Sequence, residues 1–336
     1  MRRVLAGGLV TLALLATSAV SPAYACGCGG VVGPPETDIA ASSERAIISW
    51  TGDQETIELT FDIDSDTPRA GLIVPTPTPA LVSDGDLRSF DVIESVIKPA
   101  VIVEKDWWGI NYFMPEPAPD VVDTTPRVPL GPIETTTILA SDSIALQAWL
   151  ALNGYGVTDA MASAIRTYAD YGWSFTLVSL TSDDVIDGHI DPIRLTFDTN
   201  RLVYPMRLAR SEPGPQHVRL YVFDDQRNDV TQAAAPTLTI DAEIEELYAG
   251  RVADPRLTSL GRYLSAFDIT YDDPKNQVAS DIGFFESARS THVSPTVTVY
   301  RPVTLLGLPL GTLIVVWLAV GTALLIGHFR GRRKAR

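Results

Sequence analysis

Thr56-Ile57-Glu58-Leu59-Thr60-Phe61-Asp62-Ile63 alternates polar and apolar residues without a break. A period of two sets Ile57, Leu59, Phe61 and Ile63 on one face of an extended chain. Thr56, Glu58, Thr60 and Asp62 fall on the other, the pattern of a half-buried strand. The same period marks residues 173–180, 193–197, 202–208, 218–223 and 296–300 as strands. In the run 202–208, Pro205 has no backbone N–H to give a ladder, so that strand is expected at a sheet edge or at a bulge.

Helical spacing is rarer. Leu87, Phe90, Ile93 and Ile97 form a stripe behind Asp86, and Pro99 requires the helix to stop by Lys98. Residues 144–152 follow the capping candidates Ser141 and Asp142 and end at Asn153-Gly154. Met161, Ile165 and Tyr168 repeat the stripe behind Thr158, closed by Gly172. Two further short helices are expected, one from Asp241 to Gly250 and one opened by Asp254-Pro255 with Leu257, Leu260 and Leu264 inward. Strands and helices mix without a regular βαβ alternation, which favours an α+β class with mainly antiparallel strands over a doubly wound sheet.

Both ends carry membrane-related patterns. Arg2 and Arg3, an apolar run, and Ala23-Tyr24-Ala25 make residues 1–25 read as a secretory signal peptide cleaved before Cys26. Residues 303–327 hold no charged side chain and are expected to form a transmembrane helix. Arg330, Arg332, Arg333, Lys334 and Arg336 then mark residues 328–336 as a basic cytoplasmic tail, leaving the N-terminal domain outside the cell membrane.

The segment between them, 26–302, reads as the extracytoplasmic domain. It keeps 19 of the 26 Lys and Arg against all 41 Asp and Glu, a balance of −22. A field of that sign repels polyanions and argues against nucleic acid as a partner. Pro115, Pro117, Pro119, Pro126, Pro129 and Pro132 make residues 114–133 an extended excursion. A division near residue 135 into subdomains 26–134 and 135–302 follows from it.

Chemistry is thin in this sequence. Cys26 and Cys28 flank Gly27, a spacing that admits a small-ring disulfide, free thiols, or a lipid on Cys26. No nucleophile elbow, phosphate-binding loop or zinc-protease motif is present in the sequence. His189, His217, His292 and His328 are the only imidazoles available as a base. Asp62, Asp64 and Asp66 mimic the start of a calcium loop, but Thr67 and Ile73 stand where Gly and Glu are needed. Asp183, Asp184, Asp187 and Asp191 around Gly188 are the metal-ligand candidates, with Ca2+ the suitable ion, and no other cofactor is expected. Trp107, Trp108, Tyr112 and Phe113 form an aromatic cluster expected either to be buried under the excursion 114–133 or to serve as a partner surface.

Several blocks together resemble a bacterial family known as domain of unknown function 2330. They are Ala25-Cys26-Gly27-Cys28-Gly29-Gly30, Glu44-Arg45-Ala46, residues 71–79 (GLIVPTPTP), residues 149–155 (WLALNGY), residues 191–197 (DPIRLTF) and residues 202–208 (LVYPMRL). The resemblance implies an exported cell-envelope domain followed by a membrane anchor and supplies no activity. A non-enzymatic outer domain that binds a protein or envelope component is the expected function. The alternative is a hydrolase working with paired carboxylates outside the membrane.

Overall fold

The computed structural model describes residues 27, 29–108, 134–138, 143–211, 214–235, 237–305 and 308–334. The expected signal peptide 1–25, Cys26, Cys28, Tyr112, Phe113 and the excursion 114–133 lie outside the described residues. In chain order the elements are β1 (Gly30–Val32), β2 (Ile39–Trp50), β3 (Gln54–Ser65), β4 (Arg69–Thr76), β5 (Leu81–Asp84), α1 (Leu87–Ile97), β6 (Ala100–Asp106) and β7 (Glu134–Ile138). There follow α2 (Ser143–Leu152), α3 (Asp159–Asp170), β8 (Ser174–Thr181), β9 (Gly188–His189), β10 (Ile193–Asp198), β11 (Val203–Tyr204) and a 3-10 turn at Arg207–Ser211. Next are β12 (Gln216–Asp224), β13 (Asn228–Gln232), β14 (Glu243–Arg251), β15 (Tyr263–Tyr271), α4 (Pro274–Gln277), β16 (Ile282–Glu286) and β17 (Thr296–Pro302). The series closes with β18 (Thr304–Leu305), β19 (Leu308–Pro309) and α5 (Leu310–Lys334).

The opening stretch becomes β3, a central strand. Its sheet runs β14-β15-β12-β2-β3-β10-β5, with β9 also on β3. A second sheet runs β1-β4-β8-β7, and a third β11-β16-β13. Pairing is antiparallel except for β2 with β12 and β6 with β17. The fold is thus mostly β-sheet with a few short helices. Strands from both sides of residue 135 share the largest sheet, so 26–134 and 135–302 do not form separate sheets.

Four layers result. Ile57, Phe61, Leu195, Leu220 and Ile269 of the large sheet pack against Leu72, Val74 and Val178 of the second sheet. The far face of the second sheet, through Ile73 and Leu177, takes Leu146 and Leu150 of α2 and Ile165 and Tyr168 of α3. The far face of the large sheet, through Ile47, Tyr221 and Phe223, takes Phe90, Ile93 and Ile97 of α1. Burying side chains of this kind stabilises by about 1.5–3 kcal/mol each.

Local signals explain the helices. Asp86 caps α1 by accepting from the Arg88 N–H, and Thr158 caps α3 through Met161 N–H. Gly172, at φ 77°, lets the Trp173 N–H reach back to Tyr168 and close α3. Of the expected strand 202–208 only Val203–Tyr204 pairs, as β11 at the edge of its sheet; Pro205 ends it, and Arg207–Ser211 coils into the 3-10 turn.

Four further expectations change. Residues 241–250 form most of β14, an edge strand beside β15, where pairing outweighs the helix propensity of Glu, Leu and Ala. Residues 255–260 form turns rather than a helix, although Leu257 is buried in the core. Glu58 and Thr60 are buried, not solvent-facing, because α1 and the His189 segment cover that side of β3. The expected transmembrane span 303–327 starts instead with the β18–β19 pair, and the helix begins only after Pro309. Among the described residues no helix is long and apolar enough to cross a membrane.

Candidate functional site

β2 sends consecutive residues to opposite faces of the large sheet. Its ladder with β3 carries a bulge between Ser42 and Arg45, with Ser43 at φ 53°. The extra residue reverses the facing of the strand, so Glu44 turns into the core between the sheets. There it accepts from the Tyr204 hydroxyl and from the Gly27 N–H. Arg45 points the other way, toward α1.

On that side a row of charge crosses four strands. Arg45 is the Cα partner of Arg219, Arg219 of Asp268, and Asp268 of Glu245. Asp268 binds Arg219 through both oxygens, at 2.7 Å each. Above the row, Glu94 of α1 accepts from Arg219 at 3.4 Å and from the Tyr221 hydroxyl. Arg45, Arg219 and Glu245 of the row floor a groove of about 670 Å³ edged by Ile97, Pro99, Leu247 and Pro295, with Asp91 and Lys98 at its sides.

Electrostatics fix these groups in one state. Burial alone would raise the Asp268 carboxyl, but hydrogen bonds from Arg219 and His217 outweigh it and hold it at about 2. The bond from Asp268 raises the Arg219 guanidinium above its usual range against the effect of burial. Burial, reinforced by Glu94, pushes the Tyr221 phenol up. Asp268 and Arg219 are thereby held as a permanent ion pair beneath α1.

A second polar centre sits between the sheets and α3. Asp281 accepts from Tyr168 and from Arg207 Nε at 2.9 Å. Glu55, wholly buried, accepts from the Val203 N–H, and burial pushes its carboxyl well up. These bonds tie residues 203–207 to β3, α3 and the segment before β16.

The anticipated sites scatter. Asp183, Asp184, Asp187 and Asp191 are all exposed along the loop from β8 to β10, and Asp184 accepts from the Val185 N–H. Among the described residues no three His, Cys, Asp or Glu side chains come together as a metal would require. Asp62 is engaged by His189 Nδ1 at 2.9 Å. His217 stands 3.5 Å from Asp268, behind the charge row. Trp107 and Trp108 are exposed at the base of α5, where the Gly311 N–H donates to the Trp107 carbonyl at 3.0 Å.

The model of a family described as "Uncharacterized protein conserved in bacteria (DUF2330)" matches residues 22–285. The chain belongs to that family. In this DUF2330 member the matched stretch takes in the bulge of β2, the charge row and the Tyr204–Arg207 segment. Among curated proteins none matches the chain. Among solved structures, the crystal structure of baculovirus P35 is similar at a TM-score of 0.35 and 10% identity, over 77% of this chain and 96% of that one. That likeness is too loose to bear on the function of this DUF2330 member.

The charge row escaped the sequence because its four members are paired only by strand register. Glu44-Arg45-Ala46 was the one legible signal, a charged pair inside an apolar strand.

Proposed function

We propose that the chain is an extracytoplasmic domain, held at a membrane through α5, that binds a protein or another envelope component in the groove beside α1. The observation that carries the binding reading is the row Glu245, Asp268, Arg219 and Arg45 beneath Glu94. Fixed donors and acceptors within an apolar rim give orientation and specificity to a bound partner. Asp91, Glu94 and Glu245 do line one groove, as a carboxylate hydrolase would need. A general acid, however, needs a pKa near the working pH. Asp268 at about 2 stays ionised, and Glu94 is already engaged by Tyr221 and Arg219.

Placement at a membrane is supported by composition and exposure. Ile314, Val315, Val316, Trp317 and Leu318 are consecutive and exposed, so α5 shows apolar side chains in every direction. Such surface marks contact with lipid or a partner. The exposed Trp107 and Trp108 stand where the helix starts, and tryptophan favours the membrane interface. The basic residues 330–334 favour an anionic membrane surface, and residues 1–25 favour export.

A photo-crosslinking residue at Ser95, in the groove wall, tests the binding reading in living cells. The same residue at Asn200, exposed in the turn after β10, is the control. Adducts from Ser95 alone, identified by mass spectrometry, are expected; free monomer from both positions would overturn it. Alkaline extraction of membranes checks the anchor. The full chain should remain in the pellet and a chain ending at Pro309 should not.

A further inference from the structure

On the opposite side of the molecule from α1, a cavity of about 270 Å³ opens between α3, the 3-10 turn 207–211 and α4. Ser163, Ala164 and Thr167 of α3 form one wall. Arg207, Arg210 and Lys275 form the rest, and no acidic residue lines it among the described residues. This inverts the character of a domain in which 41 acids face 19 cations. Two of these three cations, Arg210 and Lys275, are exposed and have no role in the core.

Arg207 is different from its two neighbours. It is buried, and its Nε is held by Asp281 at 2.9 Å. Its Nη1 donates to the Ala279 carbonyl at 3.4 Å, and its guanidinium lies 5.1 Å from the Tyr171 ring centre. Among the described residues Nη2 donates no hydrogen bond. Tyr168 locks the same carboxylate from beneath. The guanidinium is thus oriented before any ligand arrives, which lowers the ordering cost of binding. Asp281 neutralises one of the three charges, and among the described residues Arg210 and Lys275 form no salt bridge. The carboxylates of the neighbouring elements, Asp159 and Asp170 at the ends of α3 and Asp272 and Asp273 before α4, are not among the lining residues.

We propose that this cavity binds a small phosphate-bearing anion, with Arg207 as its preoriented floor, Arg210 and Lys275 as its closing cations, and Ser163 and Thr167 as hydroxyl donors. Guanidinium and ammonium groups suit the several acceptor oxygens of a phosphate, and charged hydrogen bonds are the strong ones. The volume fits a phosphate monoester headgroup and excludes a polymer.

Isothermal titration of the full chain in neutral detergent, with inorganic phosphate and with glycerol 3-phosphate, tests the site. Saturable binding is expected, weakened about tenfold by R210A and by K275A, the loss of one charged contact each. R210K should restore most of it, and K105A, exposed on β6 and in neither site, should change nothing. Both variants alter exposed side chains, and circular dichroism confirms their fold. Tighter binding of the ester assigns a headgroup ligand, and equal binding assigns free phosphate; either supports the site. Absence of binding by both probes, or binding that R210A and K275A leave intact, overturns it.

Discussion

The hydroxyl of Tyr204 donates to the carboxylate of Glu44, joining residues 160 positions apart in the core between the sheets. Neither group reaches water, so each depends on the other. Tyr204→Phe keeps the ring and removes the donor. Urea denaturation should show a loss of about 2 kcal/mol, the usual value for a hydrogen bond to a buried charge. A loss under about 0.5 kcal/mol would mean that the Gly27 N–H suffices.

Asp268 gives the protein an acid limb of known sign. Its pKa falls from 3.8 to about 2 on folding, so it stabilises the fold above the unfolded value and that contribution disappears between about pH 4 and pH 2. D268N should cost about 2 kcal/mol at pH 7. The gap between variant and wild type should close as pH approaches 2. A gap independent of pH would remove Asp268 from the acid response.

Glu55 behaves in the opposite sense. Burial raises its carboxyl well above 4.5, so the fold is favoured while Glu55 is protonated and loses that advantage as pH rises through the shifted value. E55Q keeps the acceptor for the Val203 N–H and never ionises. Its melting temperature should match wild type near pH 4 and exceed it increasingly toward pH 8. A wild type equally stable across that range contradicts the burial effect.

Ile93 of α1 is fully buried against the large sheet beneath the groove. I93A should cost about 2–5 kcal/mol in thermal unfolding. It should also release the helix that carries Glu94, so crosslinking from Ser95 should fall more than global stability alone predicts.

Gly311 sits against the backbone of Trp108, where an added Cβ would collide with the Trp108 carbonyl oxygen. Ala at this position forces the start of α5 away from the tryptophans. A shift in tryptophan emission without loss of the core's near-ultraviolet dichroism is the expected reading.

How much of this was legible depends on sequence distance. The alternation of 56–63 and the caps Asp86 and Thr158 are local, and each produced its element. Residues 243–251 misled because Glu, Leu and Ala favour a helix, and because the bulge between Glu246 and Tyr248 breaks the period of two. Glu58 was misplaced because its cover, the Asp86 N–H and Arg194, comes from outside its strand. The charge row had no local signature beyond Glu44-Arg45-Ala46 and the basic cavity had none, since strand register and helix packing assemble both.

The parallel pairing of β2 with β12 sets the order in which this chain can become whole. β2 lies between β3 and β12, so its outer edge stays open until Gln216–Asp224 has emerged. An open edge is a template for wrong pairing, and contacts so far apart in sequence form slowly. A chain threaded through a translocon from its N-terminus would keep that edge unpaired for most of its passage. On the export route proposed above it would cross as a polymer still lacking its largest sheet, and an escort that shields β2 during transit would shorten its most vulnerable interval.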